Sequence, residues 1–177
     1  MAWEQHIYAS LCEGAFGYYA LNFSLNGLGA LHASTVQYPL HTGKDVVFDP
    51  LDWPFQNDAL DLIVLPHSLE LARDPHLTLR EVERVLVPEG RVVIAGFNPA
   101  SLWGLRQRAG HLRRGIGFGR GEPLYLPSGG EFIGYWRLRD WLRLLGFEVE
   151  AGRFGCWRPP LRTEGWLERF AWMDRVG

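Results

Sequence analysis

Two short segments each combine an apolar run with a residue that could do chemistry. DVVF is followed by Asp49 and the turn-forming sequence PLD, and LDLIVL is followed by Pro66 and His67. Continuous apolar runs of this kind are typical of buried parallel strands. In open α/β sheets, ligands bind in the crevice outside the carboxyl ends of the strands. The sequence therefore predicts that Asp49 and His67 lie at one ligand-binding edge, where the imidazole could accept a proton near neutral pH.

The N-terminal part of the chain supplies elements to hold these two residues. Apolar residues at helical spacing predict a helix over about residues 3–13. Aromatic and β-branched composition predicts strands within FGYYALNFSL and STVQYPL. DVVF and LDLIVL add two predicted strands, both parallel and central.

The segment after His67 predicts a helix and another strand. In HLTLREVERVL the apolar residues lie along one face, while the charged residues mostly face water: Arg80, Glu81, Glu83 and Arg84. We expect Pro88 and Gly90 to stop this helix, and RVVIAGF to follow as a buried strand. Strand, helix and strand with short links are typical of a parallel sheet with crossover helices, which gives an α/β fold class.

The last part of the chain is more varied. RLRDWLRLLGF predicts an amphipathic helix ending near Gly146, EVEAGRFGCW a strand, and LRTEGWLERFAWMDRV a final helix. Between them, residues 99–130 form a long excursion rich in arginine and glycine. Its stretch from Arg106 to Arg120 has five arginines and no acid. A solvated loop is the favoured interpretation, and a nucleic-acid groove or a substrate lid are the alternatives.

Composition limits the classes of function. With 177 residues and 47% hydrophobic residues, the chain suits a single domain over residues 1–177. A formal net charge of -2 gives no global attraction to nucleic acid or anionic lipid. Cys12 and Cys156 lack metal-binding or disulfide spacing, and no stretch approaches the length of a membrane span. We expect a cytoplasmic protein with no metal and no membrane contact.

Four segments resemble, in order and spacing, class I S-adenosylmethionine-dependent methyltransferases of the type 11 kind: FDPLDWPF, DALDLIVLPHSLE, LREVERVLVPEGRVVIAGFNP and LRDWLRLLGFEVE. The resemblance covers residues 45–150, and GFNPASLWGLR resembles a bacterial subgroup of poorly defined substrate. It implies a Rossmann-like, doubly wound, mostly parallel sheet with helices on both faces. It also implies S-adenosyl-L-methionine as the cofactor.

The resemblance assigns a role to the first chemical segment. Asp49 stands where the family's acid after the third strand accepts a hydrogen bond from the adenine amino group, and Pro50 and Leu51 stand where the ring is flanked. A carboxylate beside an apolar wall suits a purine, whose edge is polar and whose faces are not. The alternative is that Asp49 and Asp52 only cap a turn.

The second chemical segment also receives a role from the resemblance. Leu65 and Pro66 stand where the family lines the methionine part of the cofactor, and His67 faces the methyl acceptor. His67 is therefore the candidate catalytic base. A packed histidine with a structural role is the equal alternative.

The first motif of the family is degenerate here. Its glycine-rich loop corresponds to residues 20–29, where only Gly27 and Gly29 match the motif, the resemblance places Ser24 and Gly27 at the cofactor, and Asn22 stands where an acid is common. Asn26-Gly27 is at least as typical of an ordinary tight turn. Residues 31–44 also contain no acid to hold the ribose hydroxyls. The family's last antiparallel strand has no evident counterpart either. An exposed sheet edge of that kind could pair with a second copy to form a homodimer.

Two functions follow from these patterns. The first is a methyltransferase that transfers a methyl group from S-adenosylmethionine to an unidentified acceptor. The alternative is a methyltransferase-like binding or regulatory module that has lost cofactor binding. Cofactor binding separates the two.

Overall fold

The computed structural model describes residues 2–12, 17–24, 36–101, 104–105 and 132–155. The chain divides into two compact units, residues 1–96 and 97–177. The predicted final helix, most of the arginine-rich excursion and Gly27 lie outside the described residues. Among the helices that are described, none has the length and apolar character needed to cross a membrane.

The first unit is built on a four-stranded parallel sheet. Its elements in chain order are α1 (Ala2–Cys12), β1 (Tyr19–Asn22), β2 (Tyr38–His41), β3 (Leu60–Pro66), α2 (Pro75–Val85) and β4 (Leu86–Ala95). The strand order is β2-β1-β3-β4, and every neighbouring pair is parallel. The predicted α/β class with a Rossmann-like parallel sheet is confirmed. The carboxyl ends of all four strands therefore point to one edge.

The core lies around β3, which is buried along nearly its whole length. On one face, Leu62 and Val64 form a cluster with Tyr8 and Cys12 of α1 and with Ala20 of β1. Full burial of such aliphatic side chains stabilises the fold by about 1.5–3 kcal/mol each. A strand apolar on both faces is thus fixed at the centre of the sheet, as its sequence predicts.

A carboxylate of β3 holds the start of β1. Asp61 Oδ2 accepts hydrogen bonds from the backbone amides of Tyr18 and Tyr19, each at 2.9 Å. This approach requires a glycine just before the strand, because a Cβ on Gly17 would lie 2.3 Å from Asp61 Cβ. The register between β1 and β3 is therefore set by the Asp61 side chain as well as by the backbone hydrogen bonds between the two strands.

Helix α2 lies within one residue of its predicted bounds at both ends. Asp74 caps it by accepting from the amides of His76 and Leu77, and Pro75 occupies the first turn. The helix ends at Val85, and β4 begins at the next residue. Residues 87–90 then bulge out of the β3–β4 ladder, which pairs Leu60 with Leu86 but Leu62 with Arg91. The helix ends before Pro88 and Gly90, as predicted, and both of these residues lie in the bulge.

The strand predicted for DVVF is also wrong. Val46 makes only an isolated bridge with Thr42, and the segment turns instead of pairing along β2. Asp45 Oδ2 accepts from the amide of His41 at 2.8 Å, and Gly43 adopts φ +85°. A local side-chain bond of this kind offers the backbone an alternative to the ladder. Asp49 therefore lies in a turn and does not end a third strand.

The second unit contains α3 (Tyr135–Leu144) among its described residues. Its C-terminus is a Schellman motif: Gly146 has φ +83°, its amide donates to Arg143 O at 3.1 Å, and the amide of Phe147 donates to Leu142 O at 2.9 Å. The prediction for Gly146 is confirmed. Residues 148–155 form no strand, which contradicts that part of the EVEAGRFGCW prediction.

Candidate functional site

The end of β1 is the junction of the candidate site. Phe23 follows β1 directly, is fully buried, and donates its amide to Val64 O of β3 at 2.9 Å. Its ring stacks on Phe48 with a centroid distance of 5.8 Å and lies 4.8 Å from the ring of Trp53. Aromatic contact thus joins the carboxyl end of β1 to the segment that carries Asp49.

We call residues 48–55 the aspartate loop. Asp49 Oδ1 accepts from the amide of Leu51 at 2.9 Å, and Asp49 O accepts from the amide of Asp52 at 3.0 Å. Trp53 closes the loop by donating Nε1 to Pro50 O at 2.9 Å. The turn-capping role considered for Asp49 is present in the structure. The Asp49 side chain is nevertheless exposed, and its second oxygen is not used in this turn.

Two charged residues of α2 hold the backbone of the aspartate loop. Glu81 Oε2 accepts from the amide of Trp53 at 3.1 Å. Arg84 donates from Nη2 to Trp53 O at 3.0 Å and from Nη1 to Phe55 O at 2.9 Å. The sequence pattern predicts that these two side chains mostly face water. That prediction is wrong, because both are partly buried against the loop. We call them the Glu81–Arg84 pair.

The Glu81–Arg84 pair is a bidentate ion pair. Arg84 Nε donates to Glu81 Oε1 at 3.0 Å, and Arg84 Nη2 donates to Oε2 at 2.6 Å. The hydrogen bond from Arg84 is the main reason that the pKa of Glu81 is lowered, and the same bond raises the pKa of Arg84. Both groups therefore stay charged at neutral pH and keep the loop in place.

The turn after β3 forms the other side of the candidate site. His67 is buried, has the positive φ of +52°, and donates its amide to Ala95 O of β4 at 3.0 Å. Ser68 Oγ donates to Phe23 O at 2.5 Å and also contacts Pro66 O at 3.2 Å. The turn is therefore bonded to the ends of both neighbouring strands.

A buried carboxylate lies in the same turn. Glu70 is 3% exposed, and its Oε1 lies 3.9 Å from His67 Nδ1. A Cβ on Gly96, just after β4, would lie 2.8 Å from this Oε1. In the sequence, Glu70 and Asp74 resemble a carboxylate pair only superficially, because the pattern places Glu70 at the start of a helix and Asp74 in a turn. The structure instead places Glu70 in the turn after His67, before α2 begins at Pro75.

The predicted site residues occupy different kinds of position. Ser24, which is 6% exposed, lies at the carboxyl end of β1, and His67 lies at the carboxyl end of β3. Phe23 links both ends to the aspartate loop: its backbone oxygen accepts from Ser68, and its ring contacts Trp53. Pro50 and Leu51 are half-buried in that loop. Leu65 and Pro66 are fully buried, so their side chains belong to the core. Their predicted roles toward a cofactor, and those of the other site residues, stay predictions.

The ends of β1 and β2 also meet. Asn22, at the last position of β1, is 2% exposed, and its Nδ2 lies 3.3 Å from Nδ1 of His41 at the last position of β2. Asn22 stands at the position where the resemblance leads one to expect an acid. A neutral amide and an imidazole therefore occupy this part of the edge. No group of three or more potential metal ligands occurs within the described ranges.

Comparisons with known proteins show what the chain is similar to. The model of the methyltransferase domain family matches residues 7–94. The chain is 41% identical over 107 residues to the uncharacterized protein YafS of Escherichia coli (strain K12), covering 60% of this chain and 40% of that protein. It is 34% identical over 90 residues to a 2-phytyl-1,4-naphtoquinone methyltransferase of Nostoc punctiforme, covering 50% of this chain and 39% of that protein. The matched region thus spans about two fifths of each relative's length.

Solved structures give the same fold. A SAM-dependent methyltransferase from Thermotoga maritima, described as a possible histamine N-methyltransferase, superposes with a TM-score of 0.59 at 15% identity, covering 83% of this chain and 71% of that protein. At this identity the match concerns the fold alone. Residues 7–94 therefore match the methyltransferase domain family, and the chain shares the fold of class I S-adenosylmethionine-dependent methyltransferases.

The cofactor implied by this family is S-adenosylmethionine. The described residues fit its adenosine end. Asp49 offers an exposed carboxylate on a loop whose backbone is held in place, and Phe48, Pro50 and Leu51 offer half-buried apolar surface beside it. An acceptor on a fixed loop next to an apolar wall suits the 6-amino group and the faces of an aminopurine.

Proposed function

We propose that this chain binds S-adenosylmethionine at the carboxyl edge of its sheet and transfers the methyl group to an acceptor that is still unidentified. The observation that carries the proposal is the aspartate loop, whose shape is fixed by the Glu81–Arg84 pair and by Phe23 while the Asp49 carboxylate stays exposed. The family match supports the same cofactor.

The proposed roles divide between the two sides of the site. Asp49 accepts from the adenine amino group, and Pro50 and Leu51 contact the ring. When bound, the cofactor supplies a methyl group on a positively charged sulfur, so the chemistry needs alignment and a dry pocket more than acid or base catalysis. His67 is the proposed base for an acceptor that must lose a proton. Ser24 lies at the β1 end of the same edge.

Titration calorimetry with two cofactor analogues tests the adenine role. S-adenosylhomocysteine carries the 6-amino group, and S-inosylhomocysteine lacks it. We expect the parent protein to bind the adenosyl compound about tenfold more tightly or better, because a hydrogen bond to a charged acceptor contributes about 1.5–3 kcal/mol. This preference is expected to disappear in Asp49→Asn.

The Asp49→Asn variant separates the two roles of this residue. Its amide oxygen can still accept from the Leu51 amide and preserve the turn, but its NH2 group opposes the adenine amino group. Asp58→Asn is the matched control, because Asp58 is exposed before the amino end of β3 and asparagine tolerates its positive φ of 54°. If Asp49→Asn binds as well as the parent, Asp49 only shapes the turn. If the parent shows no binding at millimolar ligand, the cofactor-free module is the better description.

A further inference from the structure

Glu70 is a buried acid with no role in the function proposed above. At 3% exposure its carboxylate has lost most of its contact with water. Removing a charged group from water is costly unless nearby groups compensate. A side chain of this kind, placed next to the proposed base, is therefore a candidate for a functional role.

The surroundings of Glu70 bring its carboxylate to His67. Oε1 lies 3.9 Å from His67 Nδ1, and the side chains of His67 and Glu70 are 9% and 1% exposed. Gly96 leaves the space, because a Cβ there would lie 2.8 Å from Oε1. The end of β4 thus allows the acid to occupy this position.

The backbone restricts the imidazole as well. A positive φ at a residue other than glycine costs of order 1–3 kcal/mol and persists only where the surrounding structure imposes it. For His67, whose φ is positive, the restraint is the hydrogen bond from its backbone amide to Ala95 O at 3.0 Å, together with the hydrogen bond from Ser68 Oγ to Phe23 O. In this conformation Nδ1 is the ring nitrogen that lies 3.9 Å from Glu70 Oε1.

We propose that Glu70 is a positioning residue that selects the tautomer of His67. A carboxylate near Nδ1 favours the proton on that nitrogen, so Nε2 keeps the lone pair that a base requires. The significance of this arrangement for methyl transfer rests on the proposed function, in which His67 is the base. The tautomer itself is a property of the protein without cofactor.

Nitrogen NMR of the cofactor-free 177-residue protein tests the inference directly. Long-range 1H–15N correlation spectra distinguish protonated from unprotonated imidazole nitrogens, and loss of one ring system in His67→Gln assigns the signals. We expect the neutral His67 ring in the parent to be mainly protonated on Nδ1. A parent ring mainly protonated on Nε2 overturns the proposal before any further variant is needed.

Two variants then test whether Glu70 is the cause of the His67 tautomer preference. Glu70→Gln keeps the shape but removes the charge, and the ratio of Nδ1–H to Nε2–H is expected to fall roughly fivefold or more. Gly96→Ala leaves the acid in the chain but displaces it, and the same shift is expected. Glu83→Gln, an exposed acid on α2, is the control and leaves the ratio unchanged. An unchanged ratio in whichever of the two test variants folds contradicts the proposal.

Ligand binding in the same samples separates the two hypotheses. If S-adenosylhomocysteine binds but the His67 tautomer does not depend on Glu70, the positioning role fails and the proposed function stands. If the tautomer depends on Glu70 but no ligand binds, the proposed function fails and the structural inference stands.

Discussion

The guanidinium of Arg84 donates to the backbone oxygen of Trp53 at 3.0 Å, across 31 residues of sequence. Through this bond and its companion to Phe55 O, a side chain of α2 shapes the loop that carries Asp49. The candidate cofactor loop is thus held by charged side chains of a neighbouring helix.

Replacing Arg84 with lysine is expected to loosen the aspartate loop. A lysine ammonium cannot reproduce the planar fork that contacts Glu81, Trp53 O and Phe55 O together. Hydrogen exchange measured by mass spectrometry is expected to speed up roughly tenfold in peptides covering residues 48–55, consistent with loss of about 1–1.5 kcal/mol of local stability. Arg80→Lys, an exposed arginine of the same helix, is the control. Equal exchange in the two variants contradicts the role given to Arg84.

The Glu81–Arg84 pair also predicts a dependence of stability on pH. The pKa of Glu81 is lowered in the folded protein, chiefly by the hydrogen bond from Arg84. Its contribution to the free energy of unfolding is therefore present above the unfolded-state pKa and is lost as pH falls through the folded-state pKa, between about pH 5 and pH 3.

Urea unfolding of the parent and of Glu81→Gln at several pH values checks this. We expect the parent to be the more stable protein at pH 7 and the difference to shrink toward pH 3, modestly, because the Glu81 side chain is 19% exposed. Glu83→Gln is the matched control on the exposed face of the helix. A difference that grows as the pH falls would have the wrong sign for this ion pair.

Truncation of Phe23 is expected to be strongly destabilising. Its ring is fully buried against Phe48 and Trp53 at the junction of the candidate site. Phe23→Ala should lower the free energy of unfolding by about 3–5 kcal/mol, since it removes buried surface and leaves a cavity. The comparison is Val47→Ala, at a side chain 84% exposed, where a change within about 0.5 kcal/mol is expected. Similar losses in both variants would show that the aromatic cluster is not part of the cooperative core.

A methyl group at Gly17 is expected to disturb the start of β1. The new Cβ would lie 2.3 Å from Asp61 Cβ, so Asp61 must move away from the amides of Tyr18 and Tyr19. Gly17→Ala should cost about 1–3 kcal/mol of unfolding free energy. Amide exchange at Tyr18 and Tyr19, followed by NMR, should accelerate. A variant that keeps both the stability and the protection of these amides would contradict the Asp61 tether.

The elements with strong periodic patterns are those that the sequence predicts well. The apolar run of β3, the amphipathic α2 and the glycine after α3 all lie where their patterns indicate. Short patterns are less reliable, because a single local bond can redirect them. DVVF has strand composition, yet the bond from the His41 amide to Asp45 and the turn at Gly43 prevent it from pairing.

The sequence by itself determined an α/β fold with Asp49 and His67 each behind an apolar run, because hydrophobic periodicity encodes which faces are buried. Only the tertiary structure decided which polar groups hold those residues. Glu81 and Arg84 bind a loop about thirty positions away, and Glu70 reaches His67 because Gly96 has no side chain. Hydrogen bonds and ion pairs depend on distances of a few ångströms between atoms that the chain brings together only when the sheet has formed.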